Sequence, residues 1–301
     1  MEQLTQQQKL YRKIGRRTGW AFFALTALTG GVQLLASAAI GYYLPAMTQP
    51  PLWLTWLLSF APLYCVAVPV FTVLLQPLPG IRAPKRRVST GWLLGTAAAA
   101  VTLMYAGSLA GNLLNMLIGW LRGEPVLSPL EEIVTAAPMW QTFLFACVLA
   151  PIGEELTFNY LLDKTLVFGE KRAALYCALA FGLFHGNLYQ FFYAFLLRLL
   201  LVRLRLRTGR VGWCIALHAF VNVIGGLVSG WVITQTQTVV AVYGLVLLAL
   251  VSAGSVVLMQ RRKTVPWALP RPGARAEWLF ANPGAVLAWL CCAAMFVTAL
   301  L

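Results

Sequence analysis

Charge is what this sequence has least of. Only 11% of its 301 residues are charged, and just 9 residues are acidic, while 60% are hydrophobic. A water-soluble domain carries about 25% charged residues, so that class is excluded. No polar stretch is long enough to form a separate soluble domain. Repeats of solenoid period and low-complexity tracts are also absent, which removes repeat arrays and linker-like tails. The cysteines, Cys65, Cys147, Cys177, Cys214, Cys291 and Cys292, form no C-x-x-C pair and sit within apolar runs. They read as small packing residues rather than as a redox or zinc motif.

What the chain does have is a series of nearly uncharged stretches of the length a helix needs to cross a bilayer. Lipid offers the backbone no hydrogen-bond partners, so such stretches must be helical. The expected fold class is all-α, a polytopic transmembrane bundle with the N-terminus cytoplasmic. Nine spans are predicted, near 19–44, 52–77, 91–121, 140–162, 172–187, 188–204, 211–232, 239–260 and 283–301. "ASA" at 36–38 follows the first apolar run, but that run is long for a signal peptide and reads as a retained helix. The expected organisation is a set of N-terminal helices (1–139), a central group (140–232) and a C-terminal group (233–301).

The net charge of +14 invites a nucleic-acid reading, and the topology argues against it. With the N-terminus inside, all of the 23 basic residues except Arg122 fall in cytoplasmic segments or in and after the sixth span. The basic excess therefore sets orientation and attracts anionic lipid. The bilayer is the expected partner and nucleic acid is not. The outward loop 122–138, with Glu124, Glu131 and Glu132, reads as a solvated segment. The basic stretch that holds Arg261, Arg262, Lys263, Arg271 and Arg275 reads as a cytoplasmic connection, with Trp267 and Trp278 near the interface.

Polar chemistry concentrates between residues 150 and 225. Glu154, Glu155, His185, His218 and Asn222 lie on three apolar spans, and the two histidines are the only ones in the chain. An ionisable group in a span is costly, so it needs a partner and generally has a role. A structural hydrogen-bonded pair is the plainer reading of the glutamates. Pro151 and Gly153 precede them and can kink the helix and free carbonyls. At i, i+4 spacing Glu155 aligns with Asn159, Phe181 with His185, and His218 with Asn222. The two glutamates point about 100° apart and need not share a task. A carboxylate, two imidazoles and a carboxamide can activate water and bind an oxyanion. Glu154, His185 and His218 are also chemically suited to ligate a metal such as zinc.

"EELTFN", "FGLFH" and "HAFVN" resemble the three motifs of the CPBP family, the intramembrane proteases of the CAAX prenyl protease 2, Abi and bacteriocin-processing type. That family's pattern runs E-E-x-x-x-R, F-x-x-x-H, then H-x-x-x-N or D. The stretch "NLYQFFYAFLLRLLLVRLRLRTG" is similar to the family's following helix and closing turn, and the resemblance spans about residues 140–225. It implies that residues 140–232 are a catalytic core. Glu154 would be the general base on water and His185 would hold that water. His218 and Asn222 would bind the scissile carbonyl and the oxyanion. Glu155, Asn159, Phe181 and Arg198 would support them. The resemblance leaves glutamate and metal mechanisms both open, with no cofactor required by the first.

Position 159 departs from the pattern, because Asn159 stands where the family has arginine. Either Glu155 is protonated in burial, or another cation replaces the missing one. Arg198, within the sixth span, is the candidate; its alternative is to snorkel to the cytoplasmic surface.

The expected function is an intramembrane endopeptidase that hydrolyses a membrane-embedded or lipidated peptide or protein. The resemblance implies a multi-pass location in a bacterial plasma membrane. One competing function is a non-catalytic immunity or regulatory protein on the same scaffold, which the altered motif keeps open. Another is a proton-coupled transporter, disfavoured by the lack of inverted repeats.

Overall fold

The structure, a computed structural model, describes residues 5–44, 51–128, 136–261, 267 and 272–300. Glu131, Glu132, Arg262, Lys263 and Arg271 lie outside the described residues. Among those described every regular element is helical. Nine principal helices follow in order: α1 Gln6–Tyr43, α2 Leu52–Leu75, α3 Thr90–Arg122, α4 Ala150–Thr165, α5 Glu170–Phe184, α6 Leu188–Thr208, α7 Val211–Val232, α8 Gln237–Arg261 and α9 Pro283–Leu300.

Six of these are long and apolar enough to cross a membrane: α1, α2, α3, α7, α8 and α9. The chain is a multi-pass membrane protein. The three spans expected between residues 140 and 204 are helical but fall outside that set. At about 1.5 Å per residue, α5 reaches only ~22 Å, short of a ~30 Å hydrocarbon core. The helix α6 carries Arg198, Arg203, Arg205 and Arg207. The helix α4 has 16 residues and follows a π-helical stretch, Phe143–Leu149.

The chain forms two compact units. The first comprises residues 1–81, 160–176 and 269–297. Its long helix α1 starts on a capping box, in which Thr5 Oγ1 accepts from Gln8 N (3.2 Å) and Gln8 Oε1 accepts from Thr5 N (2.8 Å). The α1–α9 contact depends on small residues. A Cβ on Gly19 would meet the side chain of Asn282, and one on Gly284 would meet the Trp20 backbone. Asn282 caps α9 by accepting from Ala285 N at 3.1 Å, and its amide donates to Gly15 O at 3.0 Å. Lys9, Arg12, Lys13 and Arg16 line a hollow of about 720 Å³ with Trp278.

The second unit comprises residues 82–159, 177–268 and 298–301, and it contains every candidate site residue. Helices α3 and α6 form its centre, with a core of Ala100, Met104, Leu197, Leu201, Leu204, Cys214, Leu217 and Val221. The two helices touch backbone to backbone, because a Cβ on Gly107 would collide with Tyr193 Cα and N, and one on Gly111 with Leu188 O. Thr102 Oγ1 ties α3 to α8 through Val251 O at 3.0 Å. Overpacking a close contact costs about 1–3 kcal/mol. Gly107→Leu is therefore expected to lower the melting temperature of the detergent-purified protein and its activity together, since α6 carries site residues. An unchanged melting temperature would show that the α3–α6 approach is not required.

Candidate active site

Local sequence explains how each side chain is held. The π-helical stretch before α4 bonds Ala150 N to Phe145 O, five residues back. In the same register the next carbonyl, Ala146 O, faces Pro151, which has no N–H to give. Asn222 Nδ2 donates to Ala146 O at 2.8 Å. The α4 glutamates and the α7 asparagine are thereby linked through an irregular turn.

Helix α5 ends at Phe184, and Gly186 follows with φ +66°. His185 sits between them, with Nδ1 2.7 Å from Phe181 O. A carbonyl only accepts, so Nδ1 carries a proton and Nε2 is the nitrogen that points away from Phe181 O. Helix α6 then begins on Asn187, whose Oδ1 accepts from Gln190 N at 3.0 Å. It ends on Gly209, φ +66°, whose N–H bonds Arg205 O at 2.8 Å.

Glu155 is completely buried and completely satisfied. Its Oε2 accepts from Arg198 Nη1 at 2.7 Å and Asn159 Nδ2 at 2.9 Å. Its Oε1 lies 3.1 Å from His218 Nδ1. Arg198 is also 0% exposed, so it makes a buried ion pair and does not reach a surface. Asn159 thus supports Glu155 as a neutral donor, while the charge comes from another helix. A second aromatic layer covers the group. Phe181 makes edge contacts with Phe158 (4.9 Å between centroids), His185 (4.9 Å) and His218 (5.8 Å).

Glu154 differs from its neighbour. Its side chain is 16% exposed, and its Oε2 lies 3.8 Å from His218 Nε2. Its charge acts on both imidazoles. The structure therefore brings Glu154, Glu155, Asn159, Phe181, His185, Arg198 and His218 into one cluster, with Asn222 held one turn beyond His218. Among the described residues no three His, Cys, Asp or Glu side chains are grouped to hold a metal ion. The expected ligand set Glu154, His185 and His218 is not among such groups.

Residues 136–224 match the family model of the Rce1-like type II CAAX prenyl endopeptidases. All three motifs and every residue of the cluster fall inside the match. Over these residues the chain is similar to the CPBP-type intramembrane proteases. No curated protein and no solved structure matches it. The match supports a CAAX-type intramembrane endopeptidase in general, and the cluster is where such chemistry would be sought.

Three polar side chains of the matched segment were not singled out from the sequence. Asn187, Gln190 and Tyr193 lie along one side of the first turns of α6, and Tyr193 stands against the His185 ring at 6.4 Å between centroids. Their i, i+3, i+6 spacing after an N-cap asparagine is the only signal for them, and it is a weak one.

Proposed function

We propose that this protein is a glutamate-dependent intramembrane endopeptidase, acting on a membrane-embedded or lipidated peptide near the cytoplasmic half of a bacterial plasma membrane. The observation that carries the reading is the division of labour between two adjacent carboxylates. Glu155 has every oxygen occupied, whereas Glu154 is accessible and faces imidazoles.

In this reading water lies between Glu154 and His185. With His185 neutral, its Nε2 accepts a hydrogen bond from one water proton and orients the molecule. Glu154 takes the other proton as hydroxide adds to the scissile carbonyl carbon. The developing oxyanion is met by Nε2–H of His218, present as the imidazolium with Nδ1–H held by Glu155, and by the amide proton of Asn222 that is not committed to Ala146. Collapse breaks the C–N bond, and Glu154 returns its proton to the leaving amine. The Arg198–Glu155 pair fixes His218 through Nδ1, which keeps Nε2 aimed at the reaction.

The check is cleavage of a quenched-fluorescent peptide, farnesylated at its cysteine, by the purified protein in lipid vesicles. Wild-type turnover is expected to survive 1,10-phenanthroline, and His185→Ala is expected to lower it by about 10²–10⁴-fold. Chelator inhibition reversed by zinc would overturn the glutamate mechanism. Full activity of His185→Ala would overturn the site.

A further inference from the structure

The oxyanion partners named above supply one donor each. Asn222 has one of its two N–H groups bound to Ala146 O. His218 gives Nδ1–H to Glu155 and has only Nε2 remaining, 3.8 Å from Glu154. A developing oxyanion in a buried site is stabilised best by two or more fixed donors.

A short network on α6 fixes the direction of one more donor. It starts from a backbone N–H, which can only donate. Gln190 N donates to Asn187 Oδ1 (3.0 Å), so the other end of that amide is Nδ2. Nδ2 in turn donates to His185 O (2.8 Å) and to Gln190 Oε1 (2.8 Å). The remaining end of Gln190 is therefore Nε2, and it donates to the Tyr193 hydroxyl at 3.1 Å. Each orientation follows from the previous one, with no free amide flip. The consequence falls on Tyr193. Its oxygen is an acceptor toward Gln190, so its own proton points elsewhere. The ring stands 6.4 Å from that of His185, and the charge of Glu154 acts on the phenol.

We propose that Tyr193 is a further catalytic residue, whose hydroxyl donates a hydrogen bond to the oxyanion formed when water on Glu154 adds to the scissile carbonyl. No proton is transferred; the phenol remains protonated throughout. Asn187 and Gln190 are positioning residues that hold the hydroxyl in donor orientation. A donor beside the nucleophilic water would weaken that nucleophile, so the carbonyl oxygen is the chemically sensible acceptor. The inference rests on the peptidase reading of the same site.

The test is steady-state cleavage of the farnesylated quenched peptide and of its unfarnesylated counterpart by wild type, Tyr193→Phe and Gln190→Leu. Tyr193→Phe deletes one oxygen and keeps the ring packing. It is expected to lower kcat by about 10²-fold with KM within about threefold, the pattern of a contact made only in the transition state. Gln190→Leu frees the hydroxyl to rotate and should lower kcat less, by roughly tenfold. A peptide aldehyde, which binds as a tetrahedral hydrate, should lose affinity for Tyr193→Phe, while the matching peptide alcohol should not. Unchanged kcat and aldehyde affinity in Tyr193→Phe, with Glu154→Gln inactive, would overturn the role of Tyr193 and leave the peptidase reading intact. A wild-type protein that cleaves neither peptide and binds no aldehyde would overturn both.

Discussion

Glu154→Gln is expected to abolish peptide cleavage while the protein still inserts, folds and elutes as wild type. The loss should be about 10³-fold or more, since general-base catalysis contributes about 10²–10⁴-fold and the same group returns the proton to the leaving amine. Folding should survive because Glu154 is 16% exposed and makes no short hydrogen bond that glutamine would forfeit. Glu155→Gln should behave differently. It leaves Arg198 without a carboxylate and weakens the hold on His218, so loss of stability should accompany loss of activity. The measurement is turnover paired with thermal unfolding for both variants. Equal stability losses in the two, or an active Glu154→Gln, would refute the proposed division between them.

The second large effect concerns Arg198. Removing one partner of a buried ion pair leaves an uncompensated charge and costs about 3–5 kcal/mol. Arg198→Ala should therefore unfold at markedly lower temperature or denaturant concentration. The sequence has a second place from which a cation can reach Glu155, namely position 159, one turn along α4. Asn159→Arg alone should gain little, since Glu155 already has its cation and a second would crowd the pair. In the Arg198→Ala background it should restore a substantial part of both stability and activity, giving a coupling energy well outside additivity. An additive double mutant would show that Arg198 is held by packing alone and that charge can not be moved between the two helices.

The Asn159–Arg198 exchange shows why the two levels of description differ. An arginine at 159 would be legible as an i, i+4 partner, because both residues lie on one helix. The cation in this chain lies 43 residues away on α6, and no local periodicity connects it to Glu155. From sequence, snorkelling of Arg198 among Arg203, Arg205 and Arg207 was the plainer reading. Its complete burial at 0% exposure is a property of packing. The direction of the Tyr193 proton is further still from the sequence, since it depends on a series of three amide and hydroxyl orientations.

By itself the sequence determined that the chain is a helical membrane protein, because its apolar runs are too long and too poor in charge for any other solution. It also determined which polar groups must meet, since carboxylates and imidazoles in apolar helices are tolerated only with partners. The expected count of nine spans is not confirmed: among the described residues six helices are long and apolar enough to cross a membrane. The central three are helical but fall outside that set, α5 being short and α6 carrying four arginines, so the apolar pattern alone does not decide the count. Only the tertiary structure decided which glutamate is saturated and which is accessible. Adjacent residues on a helix point in different directions, and what each one meets is set by the helices packed around it.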